Sequence, residues 1–403
     1  MDRVAALVLA GGRGVDFGPL SETRTKAAFP IAGGYRIIDF VLSNLSHSNV
    51  RQVGIIIQFL PAPLIEHIGS GRPWDYDMAD RGLRIMTPFV GISETRWFNG
   101  TADAIAKNIN LVAGRRFRDI LILSGEHAYQ MDYRPLIERH RESDADLTIA
   151  CVLIPPERQH PRFGNVVADQ GGRVEQFIEK PVSPVSPLVS TGIYCFRREK
   201  LLELLERFRP PAGEPYSLTG DLIHNSVGGI NAQAWMFDRP WHYIGNLAEF
   251  WEFHMGLADG RIRLFNSSWN VVTNFSDRGL ASRPPAIFAP GCQVEHSIIS
   301  PGCLIEGRVS HSVLSPGVHI GKGGVVSRSV VFHDARIGEG ASIDHAVVDK
   351  EAIIENGARV GGWGDDPAGE GPPPLTVLPK QYRVESGRRV AAGATFEMAA
   401  RIP

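Results

Sequence analysis

The residues with chemical capacity fall into a few short runs. Gly11-Gly12-Arg13-Gly14 follows directly on the apolar run Val4-Ala5-Ala6-Leu7-Val8-Leu9. A glycine-rich turn in that place can bring backbone N–H groups up to phosphate oxygens, because no side chain intervenes. The turn has neither the G-x-G-x-x-G spacing of dinucleotide sites nor the Lys-Ser/Thr pair of P-loops. A plain strand-to-helix turn would use the same glycines, so the local residues leave both readings open. Two acidic groups also stand just beyond strand-like runs. Glu126-His127 follows Ile120-Leu121-Ile122-Leu123, and Glu179-Lys180-Pro181 follows Val174 to Ile178.

These residues need a scaffold that aligns them. Val53-Gly54-Ile55-Ile56-Ile57, Ile120–Leu123 and Leu147-Thr148-Ile149-Ala150-Cys151-Val152-Leu153 read as buried parallel strands. Ile37–Leu45 and Asp103–Leu111 carry apolar residues at helical spacing. Strand–helix alternation predicts a doubly wound, Rossmann-like α/β sheet. Ligands of such sheets bind beyond the carboxyl ends of the strands. That directs attention to Gly11–Phe17, Gln58 and Ser124-Gly125-Glu126-His127.

The texture changes at Ala286. Ile298, Leu304, Val309, Val313, Val318, Val325, Val330, Ile337, Ile343, Val347 and Ile353 recur at intervals near five or six residues. Turns such as Pro290-Gly291, Pro301-Gly302 and Pro316-Gly317 punctuate them. A period near six with one inward apolar residue each time predicts a left-handed parallel β-helix. The competing irregular β-sandwich needs turns at wider spacing. The expected division is residues 1–262 as the α/β domain, 263–285 as linker, and 286–403 as β-helix with a C-terminal tail. Gly- and Pro-rich Trp363 to Pro374 reads as a loop. The tail from Tyr382 to Pro403 shows no clear period.

With 403 residues, two domains are expected. A net charge of −2 gives no general basic field for nucleic acid. No apolar run is long enough for a membrane span, and no signal peptide is evident, so a cytoplasmic location is expected. Cys151, Cys195, Cys292 and Cys303 are scattered and read as reduced core residues.

Several motifs, in order, resemble one family. Leu9-Ala10-Gly11-Gly12-Arg13-Gly14 with Lys26 resembles the start of sugar-1-phosphate nucleotidylyltransferases. Tyr35-Arg36-Ile37-Ile38-Asp39-Phe40-Val41-Leu42-Ser43-Asn44 and Trp97-Phe98-Asn99-Gly100-Thr101-Ala102-Asp103-Ala104 narrow the likeness. Ser124-Gly125-Glu126-His127, Phe163-Gly164, Phe177-Ile178-Glu179-Lys180-Pro181 and Ser190-Thr191-Gly192 continue it. The set resembles the ADP-glucose pyrophosphorylase (glucose-1-phosphate adenylyltransferase) family over residues 1 to about 360. The resemblance implies joining of ATP to glucose 1-phosphate, giving ADP-glucose and pyrophosphate for glycogen or other α-glucan synthesis. It also implies Mg²⁺, sugar-phosphate effectors acting allosterically, and a tetramer.

Residue by residue, the likeness assigns Gly11, Gly12 and Gly14, with Arg13, to the ATP phosphates. It assigns Lys26 to the phosphates as a catalytic contact, and Gln58, Gly100 and Thr101 to the nucleotide. It gives Glu179, Lys180, Ser190 and Asp221 to the glucose 1-phosphate. Lys180 taken alone would read as a solvated surface lysine; its place in the motif makes it a ligand contact. Glu126 would be the catalytic metal ligand, and Arg36 part of the regulatory site.

Three departures fall on the chemistry. Asp16 stands where the family has arginine, and sets a negative charge near the triphosphate. Like charges about 4 Å apart cost on the order of 1 kcal/mol even in water. Glu126 stands where the family has aspartate; misplacement by about an ångström can cost roughly 100-fold in rate. Tyr243 replaces the second metal carboxylate, and a neutral phenol is a poor magnesium ligand. The neighbouring His242 suits softer metals. Tyr35 also replaces the lysine that meets activator phosphates in bacterial members. The sequence therefore predicts an adenylyltransferase homologue with impaired catalysis. The alternative is a non-catalytic regulatory subunit that binds sugar phosphate or nucleotide. It would join a catalytic paralogue in a heterotetramer, where the first reading allows a homotetramer.

Overall fold

The computed structural model describes residues 3–79, 81–88, 97–112, 114, 116–265, 268–362 and 374–396. Besides a short antiparallel pair, Pro30–Ile31 with Tyr35–Arg36, the strands of the N-terminal part are β1 (Val4–Leu9), β2 (Gln52–Ile56), β3 (Gly82–Met86), β4 (Asp119–Ser124) and β5 (His127–Tyr129). They continue with β6 (Leu147–Leu153), β7 (Asn165–Ala168), β8 (Val174–Ile178), β9 (Leu188–Arg197), β10 (Ala232–Met236) and β11 (Trp241–Tyr243). The main sheet runs β8-β7-β9-β4-β1-β2-β3, and β6 joins β9 to β10. β4, β1, β2 and β3 are parallel neighbours. The near-continuous apolar runs of β1, β2 and β4 are buried on both faces, as parallel strands under helices require, while the edge strand β3 is only partly buried.

The sheet differs from the sequence reading at one edge. β9 is antiparallel to both β4 and β6. Leu147–Leu153 is therefore separated from the parallel core and runs parallel only to β10. The ten-residue β9 intervenes, its register breaking between Ser190 and Tyr194 around Gly192 at φ 72°. A buried apolar run carries no mark of its neighbour's direction, so mixed and parallel sheets look alike here.

Helix α1 (Ile37–His47) and helix α2 (Thr101–Val112) occupy the two expected helical segments. α1 is buried along most of its length, and Asp39 Oδ2 accepts from the Arg36 amide at 2.8 Å at its start. Helix α3 (Leu247–Ala258) follows β11.

From Ile287 the chain winds as a left-handed parallel β-helix with three strands per coil, each sheet wholly parallel. Seventeen residues separate Arg336 from Ile353 on the next coil. The inward valines, isoleucines and alanines form one continuous core. Arg383–Val384 and Arg389–Val390 add a further turn to two of the sheets, in the stretch whose sequence shows no period. Residues 363–373 of the expected loop, and 397–403 of the tail, lie outside the described residues.

Described residues of the expected linker pack on the N-terminal unit, and Arg283 pairs with Asp334 of the β-helix at 2.7 Å. Val271 and Leu280 are buried, the Trp269 indole donates to Asn44 Oδ1 at 2.8 Å, and Asp277 pairs with Arg36 at 2.6 Å. The two units also share a core. Phe17, Phe29 and Phe250 cluster at ring distances of 4.7–6.0 Å, and Phe250 meets Phe332 of the β-helix at 6.1 Å. Beside them Arg24 pairs with Asp349 at 2.6 Å, both side chains buried. No described helix is long and apolar enough to cross a membrane.

Candidate functional site

A cavity of about 480 Å³ opens beyond the carboxyl ends of β1, β2 and β4. Gly11 and Gly12 follow β1, Gln58 follows β2, Ser124 ends β4, and Glu126 and His127 follow it. Gly100 and Thr101 enter from the start of α2, Glu179 follows β8, and Ser190 and Gly192 lie on β9. The strand-end rule thus brings together residues more than a hundred positions apart.

The site glycines permit close approach, and among them only at Gly100 does the backbone itself leave no room for a Cβ. A Cβ on Gly11 would lie 3.1 Å from the Gln58 amide nitrogen, and one on Gly12 2.1 Å from Glu126 Oε1. Gly100 takes φ 126°, and a Cβ there would fall 2.3 Å from the Tyr216 carbonyl oxygen. Thr25 fixes the turn from below, its hydroxyl donating to the Ala10 and Gly12 carbonyls at 3.0 Å each.

Glu126 sits at the centre of the charges. Its Oε1 accepts from the Gly12 amide at 3.1 Å, and its Oε2 is 3.4 Å from the Lys26 ammonium. Lys26 is buried and lies 5.0 Å from the centre of the Tyr243 ring. Burial raises the Tyr243 hydroxyl to about 12, so it is neutral at physiological pH. Burial, with the Lys26 charge adding to it, pushes His127 down to about 3. His127 is a neutral imidazole whose Nδ1–H donates to the Thr191 carbonyl at 3.1 Å. Asp16 is held down by its hydrogen bond to Arg162.

Other expected residues also reach the wall. Gln58 Oε1 accepts from the Phe98 amide at 2.9 Å, and Thr101 Oγ1 accepts from the Leu218 amide at 2.8 Å. The Ser190 hydroxyl is 3.0 Å from that of Tyr194.

Six expected residues are not on the cavity wall: Lys26, which lies behind Glu126, together with Gly14, Arg13, Lys180, Asp221 and Arg36. Arg13 is exposed and lies 5.0 Å from the Phe59 ring centre. Lys180 is exposed, with φ 48°, and its ammonium is 3.4 Å from Glu179 Oε1. Asp221 accepts from the Ser217 amide at 2.6 Å. Arg36 is buried, donating to the Ala28 carbonyl at 2.8 Å and to Asp277 at 2.6 Å. Gly14 backs the turn at φ 66°. His242 packs on Phe253.

Motif reading passed over Arg162, Phe163 as a ring, Trp241 and Tyr194, all of which line the cavity. Arg162 had no signal beyond its place beside Phe163-Gly164.

The Mg²⁺ implied by the resemblance can be tested on this donor set. Glu126 already engages a backbone N–H and an ammonium, and Tyr243 offers a neutral phenol. Among the described residues no group of three or more His, Cys, Asp or Glu could hold a metal ion. Mg²⁺ favours anionic oxygens in near-octahedral array. The residues present do not fit the expected centre.

A glycine turn and paired charges at the strand ends of an α/β sheet, joined to a β-helix, define a nucleotidyltransferase-type protein. A family model for nucleotidyl transferases matches residues 5–260, and one described as GlmU-like, C-terminal hexapeptide matches residues 284–367. Relatives named glucose-1-phosphate adenylyltransferase extend the match. That of Thermomicrobium roseum is 42% identical over 308 residues, covering 76% of this chain and 71% of its own. That of Thermotoga maritima is 38% identical over 332 residues, covering 81% and 77%. That of Fusobacterium nucleatum is 35% identical over 324 residues, covering 79% and 83%. This chain belongs to the glucose-1-phosphate adenylyltransferase family.

Proposed function

We propose that the cavity binds ATP and glucose 1-phosphate, and that adenylyl transfer between them is strongly slowed in this chain. The reaction would be the family's. A phosphate oxygen of glucose 1-phosphate attacks the α-phosphorus of ATP, the bond to the bridging oxygen breaks, and pyrophosphate leaves with its charge. Such a step depends on positioning and on neutralising the departing charge. Lys26 and the amides of the glycine turn are suited to that work. The observation that carries the reading is the engagement of Glu126 with both of them. The carboxylate competes with phosphate for the same donors. The second carboxylate is lost to Tyr243.

The setting would be ADP-glucose formation for glycogen or α-glucan synthesis, in the cytoplasm. The test is pyrophosphate release from ATP, Mg²⁺ and glucose 1-phosphate, beside the Thermotoga maritima relative. At least about 100-fold lower turnover is expected, the scale set by an ångström of misplacement. Turnover equal to the relative's would reject the reading.

The regulatory-subunit reading draws on a separate observation. Ile287, Phe288 and Val294 on the first coil are 57%, 51% and 37% exposed. Their strands pair with the second coil alone among the described residues. An uncovered apolar end suits assembly, as a homotetramer or with a catalytic paralogue. Co-expression with a catalytic family member tests it: a stable mixed tetramer supports it, and separate elution rejects it.

A further inference from the structure

One departure from the family pattern, Asp16, meets Arg162, and a second, Tyr243, lines the same cavity wall as Arg162. The Arg162 Nη1 lies 2.6 Å from Asp16 Oδ2 and its Nη2 2.6 Å from Asp16 Oδ1, a two-point ion pair. Asp16 and Tyr243 lie 227 positions apart in the chain, so only the fold brings them to the same site. The pairing also changes the meaning of Asp16. Its carboxylate is turned to a guanidinium and does not stand free as a negative charge in the site.

Arg162 lines the cavity while 45% of its side chain remains exposed, so it is open to a ligand. The Tyr243 ring centre lies 5.0 Å from the Lys26 ammonium, on the cavity wall the ring shares with Arg162. Tyr243 stands where the resemblance expects a metal carboxylate. Loss of that carboxylate removes a donor a metal needs. It also removes an anion that would have opposed phosphate. A planar guanidinium is always charged, and its N–H fork suits phosphate oxygens. Asp16 occupies two of its N–H groups and leaves the others for a ligand.

We propose that Arg162, positioned by Asp16, recognises the phosphate of the cavity's ligand in the role otherwise filled by a divalent cation, so that phosphate binding here needs no metal. This rests on the reading of the cavity as a nucleotide and sugar-phosphate site. It concerns binding and not turnover.

The test is equilibrium dialysis of the full chain with labelled ATP and, separately, with glucose 1-phosphate, in EDTA and in excess Mg²⁺. Wild type is expected to bind glucose 1-phosphate in EDTA, with Kd altered less than about threefold by Mg²⁺. Arg162→Gln is expected to lose about tenfold or more in EDTA, the scale of a lost charge-assisted hydrogen bond. Its partly exposed side chain allows the variant to fold, which a thermal melt confirms. Binding by wild type only when Mg²⁺ is present would overturn the proposal and leave the cavity reading standing. Undiminished binding by Arg162→Gln would do the same. Absence of binding of either ligand in both buffers would overturn both.

Discussion

The Gly12 amide donates to Glu126 Oε1 at 3.1 Å, so the acidic group that follows β4 closes on the turn that follows β1. The same carboxylate takes Lys26 on its other oxygen. Two donors suited to phosphate are thereby engaged by one side chain.

If Glu126 competes with anions, removing its charge strengthens their binding. Glu126→Gln is expected to tighten inorganic pyrophosphate about threefold to tenfold, since a like charge nearby costs on the order of 1 kcal/mol or more. Isothermal titration measures it. A Mg²⁺-dependent loss of affinity in the variant would instead mark Glu126 as a metal ligand.

Arg24 and Asp349 form a buried pair between the two units. Removing one partner leaves a buried charge alone, at a cost of about 3–5 kcal/mol. Asp349→Ala is therefore expected to lower unfolding stability by that amount in urea. Arg24→Met with Asp349→Leu is expected to recover most of it. A loss below about 1 kcal/mol for Asp349→Ala would show that the pair does little to join the units.

His67 lies between Asp39 at 2.6 Å and Asp277 at 3.0 Å. Burial works to lower its pKa, but the two carboxylates outweigh burial and raise it. Asp277, which burial would raise, is held well below the carboxylate range by His67 and Arg36. A raised histidine stabilises fully below its unfolded value of about 6.5, and the gain is lost as pH rises through the folded value. The gain from Asp277 has the opposite sign: it is present above about 3.9 and fades in acid. The Tm gap between wild type and His67→Gln should be widest near about pH 6 and shrink in alkali. A gap that is constant with pH would mean a neutral imidazole.

The parts of the fold that were legible share a cause. β1, β2 and β4 are apolar runs ending in polar turns, and the strand-end rule needs nothing more to gather Gly11, Gln58 and Glu126. The β-helix repeats its inward residue often enough to declare its period. The last turn escaped because its period is interrupted: Ile353 pairs with Arg383, across the stretch 363–373. The antiparallel β9 escaped because burial hides strand direction.

Side chains were legible only where position implies direction. Arg13, within the glycine turn, is exposed beside Phe59 and off the cavity wall. Lys180 follows the right strand, but is exposed and lies off the wall. Arg36 keeps its motif, yet is buried on Ala28 and Asp277. Arg162 shows the converse. It carries no period or spacing, and only its tertiary pairing with Asp16 brings it to the site.

The most direct test of impaired catalysis is the triple variant Asp16→Arg/Glu126→Asp/Tyr243→Asp, assayed for pyrophosphate release with ATP, Mg²⁺ and glucose 1-phosphate. Restoring the family's charges should raise turnover by about 100-fold, the scale attached to misplaced catalytic groups. Ordinary turnover in the wild type, unchanged or lowered by the three substitutions, would contradict it.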